Sequence, residues 1–376
     1  MEIHGTCDER FEALRDVLGA SIDRGDDVGA SVALTLEGEL VVDIWGGWAD
    51  EARTTPWDKD TIVNVWSTTK TMTALCALIV ADAGELDFEA PVSRYWPEFG
   101  AAGKRGVVLV RHLLGHTSGL SGWQEPMSTE DLYDWEKATS LLAAQEPWWP
   151  PGTASGYHAL TQGYLVGEVL RRITGQTVGA FFREQVAGPL GADFHIGLAP
   201  SEYQRVSNVI PPPPIDLPEQ VPPMAAKTLL NPPLDVPAVW TDEWRKAEIP
   251  AAGGHGNARS VAVVQSVLAN GGEVGGRRLL SGAGCEKVLY EQSDGTDLVL
   301  GIPLRFGLGY GLPTPDIPIN ASGRACFWGG YGGSVIVVDM ERRVTFAYMM
   351  NKMGSGIVGD DRAFKLIAAA AEVLSQ

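Results

Sequence analysis

The chain has 376 residues, 45% apolar and 20% charged, which excludes a disordered polymer and is enough to build a core without disulfide staples. Its 29 basic against 47 acidic residues leave a net charge of −18, which repels phosphate backbones and anionic head groups, so neither nucleic acid nor a membrane surface is expected as a partner. The 45 glycines and 24 prolines point to abundant loops, where ligand-handling residues tend to sit.

In chain order, residues 10–22 carry apolar side chains at helical spacing (Phe11, Leu14, Val17, Leu18, Ile22) and predict an amphipathic helix that Gly25-Asp26-Asp27 breaks. Alternation over 30–36 and 40–45 predicts two strands, joined at Glu37-Gly38 as an antiparallel hairpin. Residues 67–83 read as a helix apolar almost all round, hence central and buried. Helical patterns follow over 162–174 and 178–186. The proline runs 211–214, 222–223 and 232–233 then predict extended surface loop. A helix over 260–269, strands over 334–339 and 344–350 with a turn at Glu341-Arg342, and a helix over 362–374 complete the chain. The expected fold is α/β (α+β): one antiparallel sheet flanked by helices, formed by residues 1–87 plus 250–376. A mainly helical domain with the proline-rich loop, 88–249, is inserted into it.

Cys7, Cys76, Cys285 and Cys326 form no C-x-x-C and signal neither a zinc site nor a disulfide framework. The opening residues lack the basic and apolar regions of a signal peptide, and the longest apolar stretch, near 74–81, is too short to span a bilayer. A cytoplasmic enzyme without metal or cofactor is expected, as a monomer or a homo-oligomer. Gly354-Ser355-Gly356-Ile357-Val358-Gly359 matches G-x-G-x-x-G, but too little chain follows it for a dinucleotide fold. Neither G-x-S-x-G nor H-E-x-x-H occurs.

The sharpest chemical signal is Ser67-Thr68-Thr69-Lys70 at the start of the buried helix. A serine there sits among free N–H groups, and a lysine one turn on leans back toward it. Burial disfavours the ammonium, so Lys70 could accept the Ser67 proton. Alone, the pattern is common and reads first as a capping serine followed by a chance lysine. It is followed, in order, by Leu113-Leu114-Gly115-His116-Thr117-Ser118-Gly119-Leu120, by Pro151-Gly152-Thr153 ahead of Tyr157, and by Phe327-Trp328-Gly329-Gly330 leading into a strand.

These four ordered segments, spanning nearly the whole chain, resemble the serine hydrolases related to class C β-lactamases, and most of all the family VIII carboxylesterases. The resemblance implies a β-lactamase-like sheet with Ser67 as nucleophile, Lys70 as its partner, and Tyr157, in Tyr157-His158-Ala159, as a phenol of lowered pKa that relays the proton. It implies an oxyanion hole from the N–H groups of Ser67 and Tyr331. Trp328-Gly329-Gly330 stands where the lactamases have K-T-G. The paired glycines there make sense where backbone must approach a bound acyl group. Trp328 replaces a cation and Ala159 an asparagine, which makes the site less polar and suits an uncharged ester. Gln124, Trp123 and His158 are further candidate substrate contacts, with Trp148 and Trp149 as possible pocket walls, while His116 is expected to support its loop. The expected activity is hydrolysis of short-chain, uncharged carboxylic esters. β-Lactamase, D-peptidase, amidase or acyltransferase chemistry on the same scaffold is the alternative, with a non-catalytic sensor behind them.

Overall fold

The computed structural model describes residues 1–213 and 221–375, so Pro214 of the first proline run lies outside the described residues. Six strands form one antiparallel sheet in the order Ile3–Cys7, Glu39–Gly47, Gly29–Leu36, Val344–Met350, Val335–Asp339, Ala325–Gly329. The two ends of the chain meet at its centre, where Ala30 pairs with Met350 and Leu36 with Val344. Glu37 and Gly38 both have positive φ, as a tight hairpin turn between right-twisted strands requires.

Val335–Asp339 and Val344–Met350 are buried at every position, because helices cover both faces of the sheet. Successive strand residues point to opposite faces. Leu34 and Phe346 line a small pocket together with Ile367 and Ala370 of the last helix, Asp361–Leu374. On the other face Thr345 Oγ1 donates to Ala262 O (3.1 Å), and Ser31 Oγ accepts from Ala258 N (3.1 Å), both in the helix Ala258–Ala269.

A second, four-stranded sheet orders Phe194–Ile196, Gly254–Gly256, Ile62–Asn64 and Val206–Ser207, joining segments from the middle of the chain to both flanks. Ile62–Asn64 leads directly into Ser67, and the Val65 N–H donates to Gly254 O (2.9 Å). Beside it runs the buried helix Thr69–Asp82, packed against Thr161–Thr174. Among the described residues no helix is long and apolar enough to cross a membrane.

Several expectations are corrected. The first helix is Ala13–Arg24, preceded by a 3-10 turn, Glu9–Phe11, that Asp8 caps. The pattern over 178–186 is divided: α-helix ends at Phe182 and a π-turn, Arg183–Ala187, follows. Pro222-Pro223 does not remain loop, since Pro223 opens the helix Pro223–Leu229, where a missing N–H costs nothing. Ser67 lies inside a 3-10 turn, Trp66–Thr68, and the α-helix begins only at Thr69.

Candidate active site

The turn that carries Ser67 is fixed from three sides. Thr69 Oγ1 donates to Trp66 O (2.5 Å) and accepts from Gly254 N (2.9 Å), tying the turn to the second sheet. Ser334 Oγ, at the entry to its strand, lies 3.1 Å from Thr68 Oγ1 and donates to Val65 O (3.1 Å). Trp66 itself has φ +49°, a left-handed conformation that costs a bulky residue about 1–3 kcal/mol. Edge-to-face contacts with Trp244 and Tyr331, at centroid distances of 5.9 and 5.7 Å, hold it there. Ser67 retains 8% exposure.

Lys70 Nζ lies 3.1 Å from Ser67 Oγ, 2.7 Å from Ala159 O and 2.9 Å from Ala251 O. It is 1% exposed, and no acidic group pairs with it among the described residues. Burial without a counter-ion pushes its pKa well below 10.5. A neutral amine has two hydrogens and one lone pair. The two carbonyls take the hydrogens, which leaves the lone pair for the Ser67 hydroxyl.

Tyr157 O–H donates to Ser67 Oγ at 2.6 Å, and the Lys70 nitrogen lies 4.9 Å from the Tyr157 ring centre. The expected lowering of the phenol pKa is reversed: burial raises it, and a neutral amine offers little to offset that. The hydrogen bond to Ser67 and the approach of the Trp328 indole act in the lowering direction but lose to desolvation. The indole Nε1 comes near the phenol without closing a hydrogen bond of its own. Amine pushed down and phenol pushed up means a proton acceptor and a proton donor on one hydroxyl.

The Ser67 and Tyr331 N–H groups donate to no other backbone or side-chain group among the described residues, so both remain available to an oxyanion. Gly330 brings the turn that carries Tyr331 against the serine turn: a Cβ there would stand 2.3 Å from Val65 O and 3.2 Å from Ser67 N. The close approach that this glycine permits is to the turn that carries Ser67. Gly329 likewise faces protein, with Gly359 N 2.7 Å from its would-be Cβ.

Other candidates separate. Ala159 contributes its carbonyl to Lys70. Trp328 is 1% exposed and packs on Tyr157 (5.4 Å), so it forms a wall where K-T-G would present a cation. His158 does not face a substrate: it is buried, with Nε2 2.7 Å from Ser118 Oγ and Nδ1 2.5 Å from Gly156 O. Trp123 is spent in the core, donating from Nε1 to Ala138 O (2.9 Å) and meeting Tyr164 edge-on. Gln124 is exposed, and its backbone N–H is held by the Gln145 side chain (3.1 Å). His116 packs on Tyr157 (5.0 Å) and on Phe306 (4.7 Å), a supporting place. Sequence reasoning missed Trp66, whose strain has no sequence signal, and Asp297, a loop carboxylate that accepts the Tyr157 N–H (3.0 Å).

The family model described as Beta-lactamase matches residues 14–370. The esterase/beta-lactamase LipL of Mycobacterium tuberculosis is 36% identical, over 96% of this chain and 86% of that protein. The crystal structure of a family VIII carboxylesterase superposes with a TM-score of 0.94 at 41% identity, over 99% of this chain and all of that one. A penicillin-binding protein homolog from Caulobacter crescentus gives a TM-score of 0.94 at 38% identity, covering 99% of this chain and all of its own. With a match that runs from the first helix to the last, the chain belongs to the Beta-lactamase family.

Proposed function

We propose that this protein is a serine carboxylesterase that hydrolyses short-chain, uncharged carboxylic esters through an acyl-enzyme on Ser67. The observation that carries the reading is the pair of contacts on one hydroxyl, Lys70 Nζ at 3.1 Å and Tyr157 O–H at 2.6 Å. Ser67 Oγ attacks the ester carbonyl and its proton passes to the neutral amine of Lys70. The developing oxyanion lies between the N–H groups of Ser67 and Tyr331. Tyr157 gives its proton to the departing alkoxide, and the Lys70 ammonium then returns the phenolate to the neutral form. Water attacks the acyl-enzyme along the same path in reverse, which restores Ser67.

The choice of ester over lactam rests on Trp328, a buried indole where a cation would meet a penicillin carboxylate, and on Ala159, which has no amide to hold one. The family VIII carboxylesterase among the structural relatives favours the same substrate class. The reading takes residues 1–87 with 250–376 as one lobe and 88–249 as the other, with Ser67 between them. It also puts the enzyme in the cytoplasm, in keeping with four unpaired cysteines, three of them buried. Initial rates on p-nitrophenyl butyrate and nitrocefin test the activity, with a serine-directed fluorophosphonate to locate the label. Label on Ser67 and a far larger kcat/KM on the ester are expected; a larger value on the lactam, or label that persists in Ser67→Ala, would reject the reading.

A further inference from the structure

We propose that Asp297 is a positioning residue for Tyr157: by gathering three backbone N–H groups onto one carboxylate oxygen, it sets the reach of the Tyr157 phenol to Ser67. The inference rests on the reading of Tyr157 as proton donor to the leaving group. Asp297 is fully buried. Its Oδ1 accepts from Tyr157 N (3.0 Å), Val299 N (2.9 Å) and Leu300 N (2.9 Å), while its Oδ2 has no partner. A second bond, Leu298 N to Ser155 O (2.9 Å), ties the same loop to the same segment.

The amides around Tyr157 alternate between two anchors. Gly156 N donates to His116 O (2.9 Å) and His158 N to His116 Nδ1 (3.0 Å), so both flanks go to His116. Only the central amide, that of Tyr157, goes to Asp297. The ring is steadied sideways by His116 and Trp328, but neither fixes how far the side chain projects. A buried carboxylate without a cation is costly, and three charge-assisted hydrogen bonds are what keep it there. The negative charge also favours the protonated phenol, the form a donor needs. Without the anchor, the backbone of Tyr157 loses its fixed side, and a displacement of about 1 Å at a proton donor costs on the order of 10²-fold in rate.

A structural role alone would lower activity evenly; a role through Tyr157 would follow the leaving group. An alkyl butyrate needs a proton on its alkoxide, whereas p-nitrophenolate leaves without one. Asp297→Ala is expected to lose about 10–100-fold in kcat/KM on ethyl butyrate, with kcat/KM on p-nitrophenyl butyrate nearly spared. That ratio reports acylation alone and not the hydrolysis of the butyryl-enzyme the two esters share. Tyr157→Phe should show the same selectivity, and the double variant should be no worse than Tyr157→Phe alone. Asp297→Asn keeps an acceptor oxygen and should rescue most of the activity on ethyl butyrate. If Asp297→Ala does not fold, Asp297→Ser, whose hydroxyl is too short to span the three N–H groups, should show the selective loss. Equal losses on the two esters, or additive losses in the double variant, overturn the proposal. Selectivity missing from Tyr157→Phe itself would overturn the donor reading and this inference with it.

Discussion

Two buried basic side chains show how differently the fold treats charge. Arg362, at the start of the last helix, is 2.9 Å from the fully buried Asp27 and 2.6 Å from Asp360. It also donates to Gly332 O (2.7 Å) and Lys352 O (2.8 Å), so all of its charge is matched. Lys70 has two carbonyls, a hydroxyl and no anion. Tyr348, whose hydroxyl lies 2.6 Å from Asp27, completes the Arg362 cluster as a closed network, whereas Tyr157 completes the Lys70 cluster around the Ser67 hydroxyl. Pairing holds a cation charged and inert; burial without pairing yields a base. Lys104 lies between these cases: it too donates to two carbonyls, those of Ala143 and Gln145, and burial lowers its pKa to about 8, with Glu146 acting in the opposite direction.

The contrast is sharpest in paired substitutions. Lys70→Met is expected to cost roughly 10³-fold or more in kcat. Its stability in urea should stay within about 1–2 kcal/mol of the native chain, since relief of the buried amine offsets two orphaned carbonyls. Arg362→Met should do the opposite to stability, costing ~3–5 kcal/mol by leaving Asp27 as an uncompensated buried charge. Equal stability losses in the two variants would erase the distinction. A smaller effect lies in pH dependence. The folded chain holds Lys70 deprotonated at pH values where the unfolded chain still binds that proton. Stability relative to Lys70→Met should therefore rise with pH between the depressed pKa of Lys70 and 10.5, by up to about 1.4 kcal/mol per pH unit. A flat difference across that window would mean an ordinary lysine.

Much of this is legible in the amino-acid sequence. Ser67, Lys70 and Tyr157 were identified by ordered motifs, and the structure brings them within 3.1 Å of one oxygen. Strands 30–36 and 344–350 follow from β-branched and alternating residues, although burial on both faces depends on helices that a strand's own pattern does not reveal. The edge strand Ile3–Cys7 was missed because Ile-His-Gly-Thr-Cys has no alternation and only its pairing with Glu39–Gly47 defines it. Asp297 is invisible for a related reason: its partner, the Tyr157 amide, is 140 residues away, and no spacing rule links them. His158 and Trp123 were misjudged because position next to a motif does not say which way a side chain points. The phenol pKa was misjudged because the sign depends on whether Lys70 is charged, which burial decides.

Everything in the proton path assumes an uncharged lysine in the resting enzyme. Titration of the Lys70 side chain by NMR with ¹³Cε-labelled lysine, its signal assigned by loss in Lys70→Arg, measures that directly. The account predicts a midpoint well below 10.5, coincident with the acid limb of kcat/KM. A midpoint near 10.5 would make Lys70 an ammonium at working pH and contradict its role as the base.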